Sequence, residues 1–282
     1  MNTAGCASDN PFERLRLRGL LGWLLVFGFP LLLAFRFLRF LLPWYLPQPD
    51  VVLLWTDSLY LVVFAWILTV RRRVNLRLHR LVGPPRLSWL PKGLLCLLSL
   101  VSYLLCVEIL RVDFVCRILP SDCQAMQATP VSTNPVLEAF SAVIAGPIVE
   151  ELLFRGILLH GIVARRGLTR GILVSCILFA ASHGPQAPGV FLLGLLLTLI
   201  YIRTASLWIS VSCHALYNTV VTVHELVVQL GGLSVPLGIY HWRLVAVAMI
   251  DTLFVLIVVF WILWPRSGES LPYQRNATEP DQ

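Results

Sequence analysis

The sequence predicts an all-α, polytopic transmembrane bundle of about eight membrane helices with an intramembrane polar cavity. Three observations carry that prediction. Charged residues make up 13% of the chain, against roughly a quarter in soluble domains, and 57% of it is apolar. The apolar residues fall in runs that approach the ~20 residues a helix needs to cross a ~30 Å hydrocarbon layer. The basic residues cluster beside these runs, as in "RRRVNLRLHR" at 71–80, which is a signal of membrane topology.

The predicted membrane segments are 19–35, 51–70, 93–108, 136–163, 170–183, 187–202, 205–223 and 242–264. The first follows Arg14, Arg16 and Arg18 as a signal peptide would, but Arg36, Phe37 and Leu38 come next and no small-x-small cleavage site follows. It is read as a retained helix. The fourth exceeds one crossing and is interrupted by Gly146, Pro147 and Gly156, so it is expected to bend or tilt. Segments between the runs are too short for a separate soluble domain. The chain therefore divides into 1–135, N-terminal membrane helices and loops; 136–223, the chemical core; 224–264, an outer loop and the last membrane helix; and 265–282, a polar tail expected to be disordered.

A cytoplasmic N-terminus puts residues 71–92 inside after two crossings, with Arg71, Arg72, Arg73, Arg77, Arg80, Arg86 and Lys92. Arg165, Arg166, Arg170, Arg203 and the tail then also lie inside. Both termini are thus expected in the cytoplasm, and the "NAT" sequon at Asn276 faces the wrong side for glycosylation. The net charge of +7 is spent on topology and the bilayer surface, and no nucleic-acid partner is expected. Of the seven cysteines, Cys96, Cys106, Cys176 and Cys213 fall in apolar runs, whereas Cys116 and Cys123 share the loop 109–134 and suit a disulfide.

Against this background the second half carries polar residues in pairs at i, i+4: Glu151 with Arg155, Phe179 with His183, and His214 with Asn218. Each pair shares a helix face. An ionised carboxylate at the bilayer centre costs about 2.5–3.5 kcal/mol, several times what one apolar residue returns, so these groups must face protein, water or each other. Glu151 stands N-terminal to Arg155, the favourable order for an ion pair, while Glu150 projects about 100° away around the helix. One carboxylate is then structural and the other free to transfer protons. A carboxylate base, two imidazoles that orient water, bind a metal or meet an oxyanion, and an uncharged amide donor together make a hydrolytic site for an amide bond.

Standing as "EELLFR" (150–155), "FAASH" (179–183) and "HALYN" (214–218), these residues resemble the three ordered motifs EExxxR, FxxxH and HxxxN of the CPBP family of intramembrane proteases, which includes the Rce1-like CAAX prenyl endopeptidases and bacterial Abi proteins. The resemblance covers about residues 136–223. It implies that Glu150, helped by His183, activates water, that His214 and Asn218 stabilise the oxyanion, and that Glu151, Arg155 and Phe179 belong to the same machinery, with Glu151 kept among the catalytic candidates. It leaves two routes open. Glu151, His183 and His214 also form a plausible zinc set, although no cofactor is expected on the metal-free reading.

Other chemistries fit less well. "HELVV" at 224–228 puts Val228 where a zinc protease needs its second histidine, so His224 and Glu225 are read as the end of the seventh helix. Asp57 and Asp251 lack the sequence contexts of a two-aspartate protease, and Ser182, before His183, lacks a nucleophile's glycines. The expectation is an intramembrane endopeptidase of the bacterial plasma membrane, acting on a membrane protein or lipidated peptide at a CAAX-like or C-terminal processing signal. The alternative is a non-catalytic protein of the same fold: an immunity factor, scaffold or transporter.

Overall fold

The computed structural model describes residues 10–15, 18–41, 48–118, 134–183, 187–229, 239–266 and 268–278. Among them every regular element is helical: α1 (Arg18–Leu41), α2 (Gln48–Val74), α3 (Leu78–Val82), α4 (Leu90–Ile118), α5 (135–166), α6 (Leu168–Ala181), α7 (Ala187–Thr204), α8 (Leu207–Gln229), α9 (Ile239–Leu263) and α10 (Pro272–Thr278), with one short 3-10 turn before α4. The eight apolar runs each coincide with a helix. Among the described residues four stretches are long and apolar enough to cross a membrane: Arg18–Leu41, Asp50–Val74, Leu78–Leu104 and Arg243–Leu263. Leu168–Ala181 and Gly189–Thr204 are shorter apolar helices. Phe40, Phe254 and Trp261 stand exposed on the outer faces, as a lipid environment requires of a multi-pass membrane protein.

Among the described residues the buried apolar side chains form three packed clusters, one of them joining α5, α6, α7 and α8 through Leu159, Ile172, Tyr201 and Leu207. Trp66, Ile67 and Val70 of α2 meet Val149, Leu153, Phe154 and Ile157 of α5, while Cys96, Leu97 and Leu100 of α4 meet Leu196, Leu197 and Ile200 of α7 and Leu256 and Val259 of α9. α7 runs through the middle, packed against α4, α6, α8 and α9. α5 is one continuous right-handed helical run, loosened to π geometry at Ser141–Ala145 and Leu152–Leu159. Such wide turns cluster at functional sites. It ends at Gly167, whose φ of +81° only glycine adopts freely, and α6 follows at once.

Three expectations change. The third membrane helix runs on to Ile118, so most of the expected loop 109–134 lies beyond it, and residues 119–133 are outside the described set. Cys123 is among those, and with it the Cys116–Cys123 pairing. α8 continues past His224 and Glu225 to Gln229, since nothing in that stretch breaks a helix. The tail is ordered over 268–278: Leu271 and Tyr273 are buried, Arg203 pairs with both Glu269 oxygens at 3.0 and 3.1 Å, and the Asn276 amide donates to the Arg80 and Ala205 carbonyls at 2.8 and 2.9 Å. Those long-range partners, invisible in a polar segment read locally, hold it. Tyr273 also meets Phe12 edge-on at 5.0 Å, which brings the two terminal segments together.

Candidate active site

Glu151 and Arg155 lie one helical turn apart on the inner face of α5 and are almost sealed, at 0% and 1% exposure. The Arg155 Nη1 donates to Glu151 Oε1 at 2.6 Å, and Ser210 Oγ donates to Glu151 Oε2 at 2.6 Å. His214 Nδ1 lies 3.0 Å from Oε1, so it is this nitrogen that carries the proton toward the carboxylate. Arg155 spends its other donors on the Gly194 carbonyl at 2.9 Å and on Thr198 Oγ1 at 3.4 Å. Every charge in this pair is met by protein, which is the condition for burying it at all.

Phe179 fills the space beside the pair. It is fully buried, carries the Arg155 guanidinium over its face at 4.3 Å, and touches His183 and His214 with ring centroids 4.8 and 5.7 Å away. A side chain on residue 194 would place its Cβ 2.8 Å from the Phe179 ring, so glycine there is what admits the ring. At the end of α6, His183 Nδ1 lies 2.8 Å from the Phe179 carbonyl, one of the acceptors a helix C-terminus leaves open. A carbonyl only accepts, so His183 donates from Nδ1.

Both imidazoles are thereby oriented by their Nδ1 contacts, and both turn Nε2 on Glu150. Glu150 Oε2 lies 3.7 Å from His183 Nε2 and 3.8 Å from His214 Nε2. The first two are partly open, Glu150 at 14% and His183 at 25%, while His214 is buried at 2%. The expected polar site thus opens to one side. A cleft of about 640 Å³ lies elsewhere, at the arginine-rich end of α2, lined by Arg71, Arg72, Arg77 and His79.

Asn218 has a different surrounding from the other motif residues. In the π turn, Gly146 N–H bonds the Ser141 carbonyl five residues back. The next such bond would run from residue 147 to Ala142, but Pro147 has no N–H. Asn218 Nδ2 supplies it, donating to the Ala142 carbonyl at 2.6 Å. The amide therefore ties α8 to the loosened turn of α5 and keeps a second N–H. Removing it in Asn218→Ala should leave the partly buried Ala142 carbonyl without this donor and lower stability by about 0.5–1.5 kcal/mol, read as a drop in thermal unfolding temperature in detergent.

The structure brings Glu150, His183 and His214 to one point and places Glu151, Arg155 and Phe179 behind them. It does not bring together the zinc set Glu151, His183 and His214: Glu151 lies on the Nδ1 side of His214 with its oxygens engaged by protein, and His183 lies on the Nε2 side. Among the described residues no group of three or more His, Cys, Asp or Glu side chains is arranged to hold a metal ion. Of the rejected aspartates, Asp57 accepts from Ser141 Oγ and Asp251 stands exposed on α9.

Two partners were not picked out from sequence. Ser210 was readable in principle, because 210, 214 and 218 form one stripe at spacing four. Tyr60 was not: its hydroxyl donates to Glu150 Oε1 at 2.8 Å from ninety residues away.

Residues 132–220, which bracket all three motifs, match the family described as type II CAAX prenyl endopeptidase Rce1-like. That stretch is thus similar to a family of proteases. Comparison with curated proteins gives no match, and comparison with solved structures gives none.

Proposed function

We propose that the Rce1-like domain of this chain hydrolyses a peptide bond of a membrane protein or lipidated peptide, close to a CAAX-like or other C-terminal processing signal, with water activated by Glu150. The observation that supports this most is the meeting of Glu150 Oε2 with the two Nε2 atoms, at 3.7 and 3.8 Å, in a partly open setting. A water placed there donates its two protons to Glu150 Oε2 and His183 Nε2 and presents a lone pair outward.

On this reading the water oxygen attacks the carbonyl carbon while Glu150 takes its proton and His183 holds its orientation. The carbonyl oxygen becomes an oxyanion. On this reading His214, held at Nδ1 by the Glu151 carboxylate, turns an Nε2–H on that oxyanion and stabilises it together with the second N–H of Asn218. The C–N bond then breaks and Glu150 returns its proton to the leaving nitrogen. Glu151, Arg155 and Phe179 position the imidazoles and contact no reacting atom. No step runs through a metal. Contact between the two terminal segments supports placing both on one side of the membrane, which the arginine distribution assigns to the cytoplasm; the plasma membrane of a bacterium is the host membrane we favour.

The test is direct. The purified chain in liposomes is incubated with farnesylated and unprenylated peptides ending in a CAAX-like box, and released C-terminal fragments are read by mass spectrometry. Release from the farnesylated peptide alone supports a lipid-dependent endopeptidase, and release from both supports one that reads sequence. Release from neither, across a panel of boxes, would overturn the assignment to C-terminal processing.

A further inference from the structure

α2 lies wholly outside the residues that match the family, yet it sends two polar side chains, Asp57 and Tyr60, to α5. They stand three residues apart and so share a helix face. Asp57 accepts from Ser141 Oγ at the first π turn, and Tyr60 donates to Glu150 Oε1 at 2.8 Å. The approach depends on Gly146: a Cβ there would sit 2.9 Å from the Tyr60 hydroxyl oxygen. The wide turn, the missing side chain and the Asp57 contact all serve one meeting.

Its consequence is a division of labour between the two oxygens of Glu150. Oε1 is held by the phenol, and Oε2 faces both Nε2 atoms. A carboxylate free to rotate would present either oxygen, with any spread of angles. One held at Oε1 presents Oε2 alone. We propose that Tyr60 is a positioning residue for Glu150, so that the reacting site is completed by a helix outside the Rce1-like domain. This rests on the role given to Glu150 above.

Two measurements on the full chain in liposomes test it independently. In the first, peptide hydrolysis by Tyr60→Phe, which keeps the ring and its packing, should show kcat lowered about 10- to 100-fold, the worth of one hydrogen bond to a charged group, with KM unchanged. Gly146→Ala should give the same phenotype by crowding the hydroxyl away, and the double variant should lose little more. A rate within twofold of wild type in both single variants would overturn the proposal. The second measurement needs no turnover: labelling of Glu150 by a hydrophobic carbodiimide, mapped by mass spectrometry, should rise several-fold in Tyr60→Phe. Should wild type cleave no peptide, the hydrolytic role fails, and unchanged labelling would then sink the Tyr60 contact as well.

Discussion

Glu150→Gln should lower kcat by at least about 100-fold, the lower end of what a positioned general base contributes, while leaving the fold intact. The substitution keeps the shape of the side chain, and a glutamine carbonyl can still accept from Tyr60. What it removes is an oxygen able to take a proton, putting a neutral amide before the Nε2 atoms of His183 and His214. Because Glu150 has, among the described residues, no cationic partner comparable with Arg155, losing its charge leaves no buried ion unpaired there. Initial rates on a cleaved peptide, beside unfolding curves for the same preparations, check both halves. The neighbouring Glu151→Gln should do the reverse, failing first in stability, because an amide cannot meet Arg155, Ser210 and His214 together.

Arg155→Ala should cost about 3–5 kcal/mol of stability, the range for breaking a buried ion pair by removing one partner. The Glu151 carboxylate would remain at 0% exposure with only Ser210 and His214 to meet it, and the Gly194 carbonyl would lose its donor. Phe179 would lose the cation over its face as well. Arg155→Lys should recover only part of this, since an ammonium cannot reproduce the planar fork that reaches Glu151, Gly194 and Thr198 at once. Denaturant titration in mixed micelles reads the loss, and a value below about 1 kcal/mol would mean the pair is better solvated than its burial implies.

These two predictions differ because adjacent residues meet different surroundings, and that difference was partly legible in the sequence. Hydropathy located the membrane helices well: the run 187–202 became Ala187–Thr204 and 242–264 became Ile239–Leu263. It placed the end of the third helix too early, because Glu108, Arg111 and Asp113 lower hydropathy without breaking a helix, and the next proline is Pro120. The i, i+4 spacing gave the Glu151–Arg155 pair and the shared faces of the other motifs. It did not give the π turns of α5, and hence neither the open Ala142 carbonyl nor the reason Asn218 faces it. Nor does any local pattern couple Tyr60 to Glu150 or Asn276 to Arg80 and Ala205. Periodicity reports which face is polar; which distant groups that face will meet is decided by packing.

The central claim is that Glu150 does chemistry on peptide bonds in the membrane. Its most direct test is a mass-spectrometric survey of new protein termini in membranes from cells producing wild type or Glu150→Gln at matched levels. The account predicts a set of termini present only with wild type, their sequences defining the processed signal and showing whether a CAAX-like box is part of it. Matching surveys, under conditions where the wild type is folded and produced, would contradict proteolysis and leave a binding or transport role for the same polar cluster.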